Sequence, residues 1–271
     1  MVSPDPAATV VGVLAAYNFV QNVVIPERAY VPANLAMTAG LVAFAHRSGT
    51  SLESLGLGRA GLREGLRLGG AVGVGAGVAA LGASSTRRFD RWLLDRRARG
   101  HGSAEAAYRV IARFPLGTAL FEEVAFRGVL DALWRRRSGT SAARFVSAVA
   151  FGTWHILPTY RQYAEMGAAA GSTPSVGQRS VAACIGAVVT GLAGIGFTVL
   201  RERSGTVAAP WLAHASINTL SYLVARHKWA LDSASPRDMR ASNSGDQRLQ
   251  PAACRTRRTR FTGDDRYSPG G

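Results

Sequence analysis

Three long stretches of the 271-residue chain contain no aspartate, glutamate, lysine or arginine, and they restrict the possible folds more than any other feature. They cover residues 6–26, 68–86 and 180–200. Runs of about 18 or more mostly apolar residues have the length that is needed to cross the hydrocarbon core of a bilayer. The sequence therefore predicts a membrane protein rather than a soluble single domain.

Backbone groups in lipid must form their hydrogen bonds internally, which favours a helix for every span. We expect an all-α fold, a polytopic transmembrane helical bundle of about seven spans in the cell membrane. The apolar segments that predict these spans lie near residues 8–25, 30–46, 66–84, 108–133, 143–158, 181–200 and 206–225.

Two stretches around the third span have distinctive compositions. Residues 51–69, SLESLGLGRAGLREGLRLG, place leucines among arginines. This pattern predicts an amphipathic helix in the membrane interface, although its glycines weaken a helix, and a solvated connector is the alternative. Residues 68–83 are rich in glycine and alanine, so we expect another helix to approach the third span closely.

All but one of the 32 basic residues behind the net charge of +15 are arginines, and most of them lie between or beside the apolar segments. Arginines in such positions bind anionic headgroups, so membrane lipid is the expected partner and nucleic acid is not. The clusters at 87–99 and 135–137 both favour the cytoplasm, yet they flank one predicted span. The sequence therefore leaves the membrane orientation open, and it leaves the oligomeric state open as well.

The fourth span contains charged residues that lipid normally excludes. In TALFEEVAFRGVLDALW, the adjacent carboxylates of Glu122 and Glu123 precede Arg127. A charge at membrane depth costs at least about 2.5–3.5 kcal/mol, so such residues usually serve a site, although an interfacial helix that meets water is the alternative. The spacing of Glu123 and Arg127 predicts an ion pair on one helix face. Glu122 lies about 100° around the helix and is free to contact another group.

Two other spans contribute one histidine each. His155 lies one turn after Phe151 in the fifth span, and His214 shares a helix face with Asn218 in the seventh. A single histidine is more often a core residue than a catalyst. Together with the paired carboxylates, however, these residues predict bases and hydrogen-bond donors at one depth. We expect the functional groups of Glu122, His155 and His214 to lie within about 12 Å of each other.

These residues fall in three motifs that occur in order along the chain. EEVAFR at 122–127, FGTWH at 151–155 and HASIN at 214–218 match the patterns EExxxR, FxxxH and HxxxN. On these motifs the chain resembles the CAAX-prenyl-protease and bacteriocin-processing family (CPBP, or ABI) of intramembrane endopeptidases. The resemblance covers roughly residues 50–225, and the ordered triple makes it specific.

The resemblance implies hydrolysis of a peptide bond in a membrane-tethered protein or peptide, prenylated or not. It assigns the activation of water to Glu122 and His155, and the stabilisation of the oxyanion to His214 and Asn218. Three further residues are expected to support the site: Glu123, Arg127 and Phe151.

We favour metal-free activation of water and expect no cofactor. If a divalent metal such as zinc were bound, Glu122, His155 and His214 would supply three ligands and leave one position for water. The chain has no HExxH motif, however, and adjacent glutamates do not turn easily toward one ion.

Two other functions remain open on the sequence alone. A protein of the same family without protease activity would act as a membrane scaffold or as a bacteriocin self-immunity protein. A small proton-coupled transporter would use the buried charges as a proton relay, although no inverted repeat is visible.

The resemblance also divides the chain into three parts. We expect N-terminal transmembrane spans at 1–49, a protease-like core at 50–226 and a basic, disordered tail at 227–271.

Overall fold

The computed structural model describes residues 5–84, 101–169 and 171–233. Met1–Trp229 is one compact unit, and Ala230–Gly271 is a second. Residues 87–99, which contain an arginine cluster, and nearly all of the predicted tail lie outside the described residues. The cytoplasmic preference of the cluster and the disorder of the tail therefore remain predictions. The division of the chain at residue 50 also stays a prediction.

All regular structure in the described residues is helical, which confirms the all-α prediction. We number its α-helices as α1 (Pro6–Phe19), α2 (Tyr30–Arg47), α3 (Leu62–Ser84), α4 (Ser103–Tyr108), α5 (Phe121–Glu123), α6 (Asp131–Trp154), α7 (Ile156–Ala169), α8 (Val176–Ser204) and α9 (Ala208–Ser233). A π-helical turn (Val20–Val24) extends α1, and a short 3₁₀ helix (Glu27–Ala29) precedes α2. Two π-helical segments, Arg109–Leu120 and Val124–Leu130, join α4, α5 and the first part of α6 into one helical run. This run ends at Gly139, where a φ of 82° and a ψ of 177° break the helical geometry inside α6.

Three segments of the described chain are long and apolar enough to cross a membrane: Pro6–Val24, Leu62–Ser84 and Val176–Ser204. They contain the three charge-free stretches of the sequence almost completely. This agreement supports a membrane protein, whereas the count of seven spans stays a prediction.

The predicted amphipathic helix is not present over residues 51–61. This stretch forms turns, and the helix begins only at Leu62. Gly56 and Gly61 adopt φ values of 73° and 74°, a left-handed conformation that glycine enters at little cost and that ends helical geometry. The glycines in the pattern thus outweigh the spacing of its leucines.

The helix over the fifth predicted span, 143–158, is interrupted near its end. The structure ends α6 at Trp154, places His155 in a turn and begins α7 at Ile156. Pro158 accounts for the break, because proline has no N–H to bond the carbonyl four residues earlier, which belongs to Trp154. A histidine predicted inside a span therefore lies at a junction between two helices.

The glycines of α3 allow close contact with the chain that carries His214. A Cβ atom on Gly69 would lie 2.5 Å from the carbonyl oxygen of Ala209, and one on Gly73 would lie 2.7 Å from the Oγ of Ser216. No real side chain fits at such distances. The predicted close approach of a helix to the third span is therefore confirmed, and it fixes the position of α9.

The largest hydrophobic core surrounds the run from α4 to α6. It includes Phe121, Val124 and Phe126 from that run, and it continues through Phe151 and Phe197. The run is therefore packed on several sides by other helices, and its charged residues lie inside the protein.

Candidate active site

The two glutamates of the first motif form most of α5, between the two π-helical segments. Glu122 is 4% exposed and Glu123 is fully buried. Single π-helical turns inside α-helices occur frequently at functional sites, because they change which residues face a neighbour. Buried carboxylates need partners, and these two carboxylates have different ones.

Glu122 faces both histidines. Its Oε2 atom lies 3.9 Å from Nε2 of His155 and 3.9 Å from Nε2 of His214. These distances are too long for direct hydrogen bonds, and Glu122 Oε2 has no hydrogen-bond partner among the described residues. A separation of 3.9 Å leaves room for one small group that bonds Glu122 Oε2 and a histidine nitrogen at about 2.8 Å each. The structure thus brings together the three residues expected to share a site.

A backbone carbonyl group determines which ring nitrogen of His155 carries a proton when the ring is neutral. Its Nδ1 lies 2.8 Å from the carbonyl oxygen of Phe151, which can only accept, so Nδ1 carries a proton. In the neutral ring Nε2 is then unprotonated and faces Glu122, and it can accept a proton. The side chain of His155 is 22% exposed, the most accessible of the three residues at this point. Phe151 also contacts the ring edge, with centroids 4.6 Å apart.

Glu123 connects the first motif with the third. Its Oε1 accepts from Nδ1 of His214 at 2.8 Å and pairs with Nη1 of Arg127 at 3.3 Å. The ion pair expected from the spacing of Glu123 and Arg127 is therefore present. The bond to His214 was not predicted, because it joins residues 91 positions apart. A carboxylate at Nδ1 stabilises the imidazolium form, in which Nε2 also carries a proton and donates.

Arg127 is fully buried among aromatic rings. Its guanidinium carbon lies 3.9 Å from the ring centroid of Phe151 and 5.4 Å from that of Phe197, which gives cation–π stabilisation. A Cβ atom on Gly194 would lie 2.8 Å from Nη2 of Arg127, so a larger residue there would displace the guanidinium. Arg127 therefore packs tightly as well as pairing with Glu123.

Trp154 is a site residue that the sequence analysis missed. Its Nε1 donates to Oε1 of Glu122 at 3.2 Å, and its side chain is 5% exposed. The indole N–H can only donate, so it holds one carboxylate oxygen and leaves Oε2 toward the histidines. The only sequence signal was its position next to His155 in the second motif.

Asn218 is the one predicted site residue that lacks such a contact. It lies one turn beyond His214 on α9 and is half-buried. Its side chain forms no hydrogen bond with any residue that the structure describes. Its predicted role as an oxyanion donor therefore stays a prediction.

The three predicted ligands do not have the geometry of a zinc site. Tetrahedral zinc with bonds of about 2.0–2.1 Å places neighbouring ligand atoms about 3.3 Å apart. Glu122 Oε2 is 3.9 Å from both histidine nitrogens, and within the described chain no set of histidine, cysteine and carboxylate side chains is arranged to hold a metal ion. The absence of a metal therefore stays a prediction.

A cavity of about 370 Å³ lies elsewhere, toward the end of the run. Its charges are largely paired with each other: Asp131 Oδ2 is 2.5 Å from Nε of Arg135, and Glu202 Oε2 is 2.6 Å from Nη2 of Arg144. The other lining residues are Ser54 and Arg201. None of these groups is a histidine or an unpaired base, so the cluster around Glu122 is the better candidate for chemistry.

The fold and the site define a class of protein, a helical membrane protein with buried carboxylates and histidines from three separate segments. Residues 105–220 match the family model described as Type II CAAX prenyl endopeptidase Rce1-like. This segment is similar to that family, which confirms the resemblance read from the three motifs, and it contains all of them. No curated protein and no solved structure matches the chain significantly.

Proposed function

We propose that this protein is an intramembrane endopeptidase that hydrolyses a peptide bond in a membrane-tethered protein or peptide. The strongest support is the position of the two histidines beside one carboxylate. Nε2 of His155 and Nε2 of His214 each lie 3.9 Å from Oε2 of Glu122. The match of residues 105–220 to an endopeptidase family supports the same reaction.

In the proposed mechanism, a water molecule lies between Glu122 Oε2 and His155 Nε2. As its oxygen attacks the carbonyl carbon of the scissile bond, its proton passes to one of these two bases. The C–N bond then breaks, and the same proton is returned to the leaving amine. The products are one new carboxyl group and one new amino group, and no oxidant or cofactor is required.

The negative charge that develops on the carbonyl oxygen needs donors. We assign this role to Nε2 of His214, in the imidazolium form that Glu123 stabilises at the other ring nitrogen. Asn218, one turn further on α9, supplies a second donor when substrate is bound. The mechanism thus gives the paired glutamates different tasks: Glu122 acts on water, and Glu123 acts through His214.

We further propose that the protein crosses the cell membrane several times, with about seven spans. The helices that carry the site contain Glu122, Glu123 and Arg127, which lower their mean hydropathy below that of an ordinary span. These charges are buried inside the protein, so lipid does not meet them. A substrate that is itself anchored in the membrane, by a prenyl group or a transmembrane segment, reaches such a site by diffusion in the bilayer.

The proposal is tested with purified protein in lipid nanodiscs and peptides anchored by a prenyl group, by an acyl chain or by a transmembrane helix. We expect cleavage of at least one class, detected as new termini by mass spectrometry, and no cleavage by Glu122→Gln protein. The Gln side chain keeps the size and can still accept from Trp154, so the variant should fold.

A comparison of membrane and secreted proteomes extends the test to natural substrates. Cells with the wild-type protein should contain membrane-protein termini that are missing from cells with Glu122→Gln at the same abundance. Identical sets of termini would favour a scaffold or immunity role. Proton flux into vesicles without any cleavage would favour a transporter.

A further inference from the structure

The N-terminal helices contact the site although they lie outside the matched segment, residues 105–220. Nδ2 of Asn18, on α1, donates to the backbone carbonyl oxygen of Trp154 at 2.8 Å. The two residues are 136 positions apart in sequence. Trp154 in turn precedes His155 and holds Glu122 through its indole.

Pro158 explains why the Trp154 carbonyl needs this partner. In a continuous helix the N–H of the residue at position 158 would bond that carbonyl, and proline has none. A buried carbonyl without a partner is costly, so native proteins satisfy nearly all of them. Asn18 supplies the missing donor at the junction where His155 leaves α6.

The Trp154 side chain transmits this constraint to Glu122. Its indole packs between Phe121 at 5.5 Å and Phe126 at 5.7 Å, and its Nε1 donates to Oε1 of Glu122. A shift of the Trp154 backbone therefore moves the indole N–H relative to the carboxylate. The same shift moves His155, because the two residues are adjacent.

α1 is itself held in place against the run. The hydroxyl of Tyr17 donates to Oδ1 of Asn34 at 2.6 Å, and Nδ2 of Asn34 donates to the carbonyl oxygen of Gly117 at 2.7 Å. Tyr17 also meets the ring of Phe121 edge to face, with centroids 5.5 Å apart. Asn18 is therefore positioned by buried, directional contacts on the neighbouring residue.

We propose that Asn18 is a positioning residue that acts through Trp154 to fix the relative placement of Glu122 and His155. The predicted effect of Asn18 on kcat rests on the proposed function. It adds that the segment recognised as a family domain is incomplete as a catalyst without α1. The predicted effect of Asn18 on the position of the Trp154 indole does not depend on that function, because it concerns the hydrogen bond from the indole to Glu122.

The first test is kinetic. Asn18→Leu removes the donor at similar size, and we expect kcat to fall about 10–100-fold with KM nearly unchanged, since small displacements of reacting groups have effects of this order. Asn22→Leu is the matched control, because Asn22 lies one turn further on the same helical segment and its Nδ2 bonds only the backbone of Asn18. The control should retain the wild-type kcat.

A double variant tests whether Asn18 acts through the Trp154 side chain. In protein that already carries Trp154→Phe, Asn18→Leu should lower kcat by a smaller factor than in the wild type, because the part of its effect that the indole transmits to Glu122 is already lost, while the backbone of residue 154 still positions His155. If the two effects instead multiply, or if Asn18→Leu raises KM and leaves kcat alone, Asn18 does not act through Trp154.

The closing experiment does not depend on activity. Protein labelled with ¹⁵N-tryptophan gives an indole signal for each of its five tryptophans, and Trp154→Phe identifies the signal of Trp154. We expect Asn18→Leu to shift that signal and Asn22→Leu to leave it in place. An unshifted signal in Asn18→Leu overturns the inference. Absence of cleavage by wild-type protein with the expected shift would overturn the proposed function and leave Asn18 as a positioning residue for Glu122.

Discussion

Replacing Arg127 by alanine tests whether its buried guanidinium holds the site together. The guanidinium is fully buried, pairs with Glu123 at 3.3 Å and packs over the ring of Phe151 at 3.9 Å. Without it, Glu123 keeps only His214 as a partner, in a position that water does not reach. A buried carboxylate would then lack its positive neighbour, and the rings would lose their contact with the guanidinium.

The size of the effect follows from that burial. Removing one member of a buried ion pair destabilises a protein by about 3–5 kcal/mol, because the remaining charge is left uncompensated. For a protein of roughly this size that corresponds to a decrease in Tm of about 6–20 °C. Arg127→Lys should decrease Tm by less, since lysine keeps the charge but loses the planar group that stacks on Phe151.

The assay is thermal unfolding of detergent-solubilised protein, followed by tryptophan fluorescence. Arg144→Ala is the control, because Arg144 also pairs with a carboxylate but its side chain is 51% exposed, so we expect no measurable change in Tm. A variant that exchanges Glu123 and Arg127 should recover part of the stability but no activity, since it places arginine where His214 needs a carboxylate. A wild-type Tm and full cleavage in Arg127→Ala would refute this account of the pair.

Four further predictions concern other parts of the molecule. Gly69→Val should destabilise the protein by about 1–3 kcal/mol, because a side chain there collides with Ala209, whereas Gly75→Val on the same helix meets open space and should have little effect; both are measured by thermal unfolding. His214→Leu should lower kcat about 10²–10³-fold at normal abundance, the effect of losing one oxyanion donor, with single-turnover kinetics as the measurement. Cleavage should persist after dialysis against a chelator, and a loss that zinc restores would show that the site contracts around a metal. Truncation after Leu231 should leave cleavage by solubilised protein within a few-fold of the full-length rate, and loss of cleavage with intact folding would place the tail in the site.

The sequence predicted those features that depend on local composition. Charge-free stretches identified the three helical segments of the described chain that are long and apolar enough to cross a membrane, and glycine-rich composition predicted the close packing of α3. The spacing of Glu123 and Arg127 was sufficient to predict their ion pair, because residues four apart share a face in an α-helix and still lie close together in the π-helical segment that contains Arg127. Three motifs in order predicted which segments meet, since they carry the resemblance to a family.

The features that the sequence did not predict depend on long-range geometry or on backbone irregularity. Which glutamate contacts which histidine depends on how the run is rotated, and its π-helical segments change that rotation in a way that a period of 3.6 residues does not describe. The break at His155 was encoded by Pro158, but the apolar composition around it favoured one span. The contact of Trp154 with Glu122 had no recognisable pattern, because a buried tryptophan is ordinarily a core residue.

The central claim, that Glu122 activates water for peptide hydrolysis, is tested most directly by cleavage in water enriched in ¹⁸O. Wild-type protein in nanodiscs should produce a peptide whose new carboxyl group contains one ¹⁸O atom, as measured by mass spectrometry, and Glu122→Gln protein with the same Tm should produce none. Equal rates of ¹⁸O incorporation by the two proteins would contradict the claim.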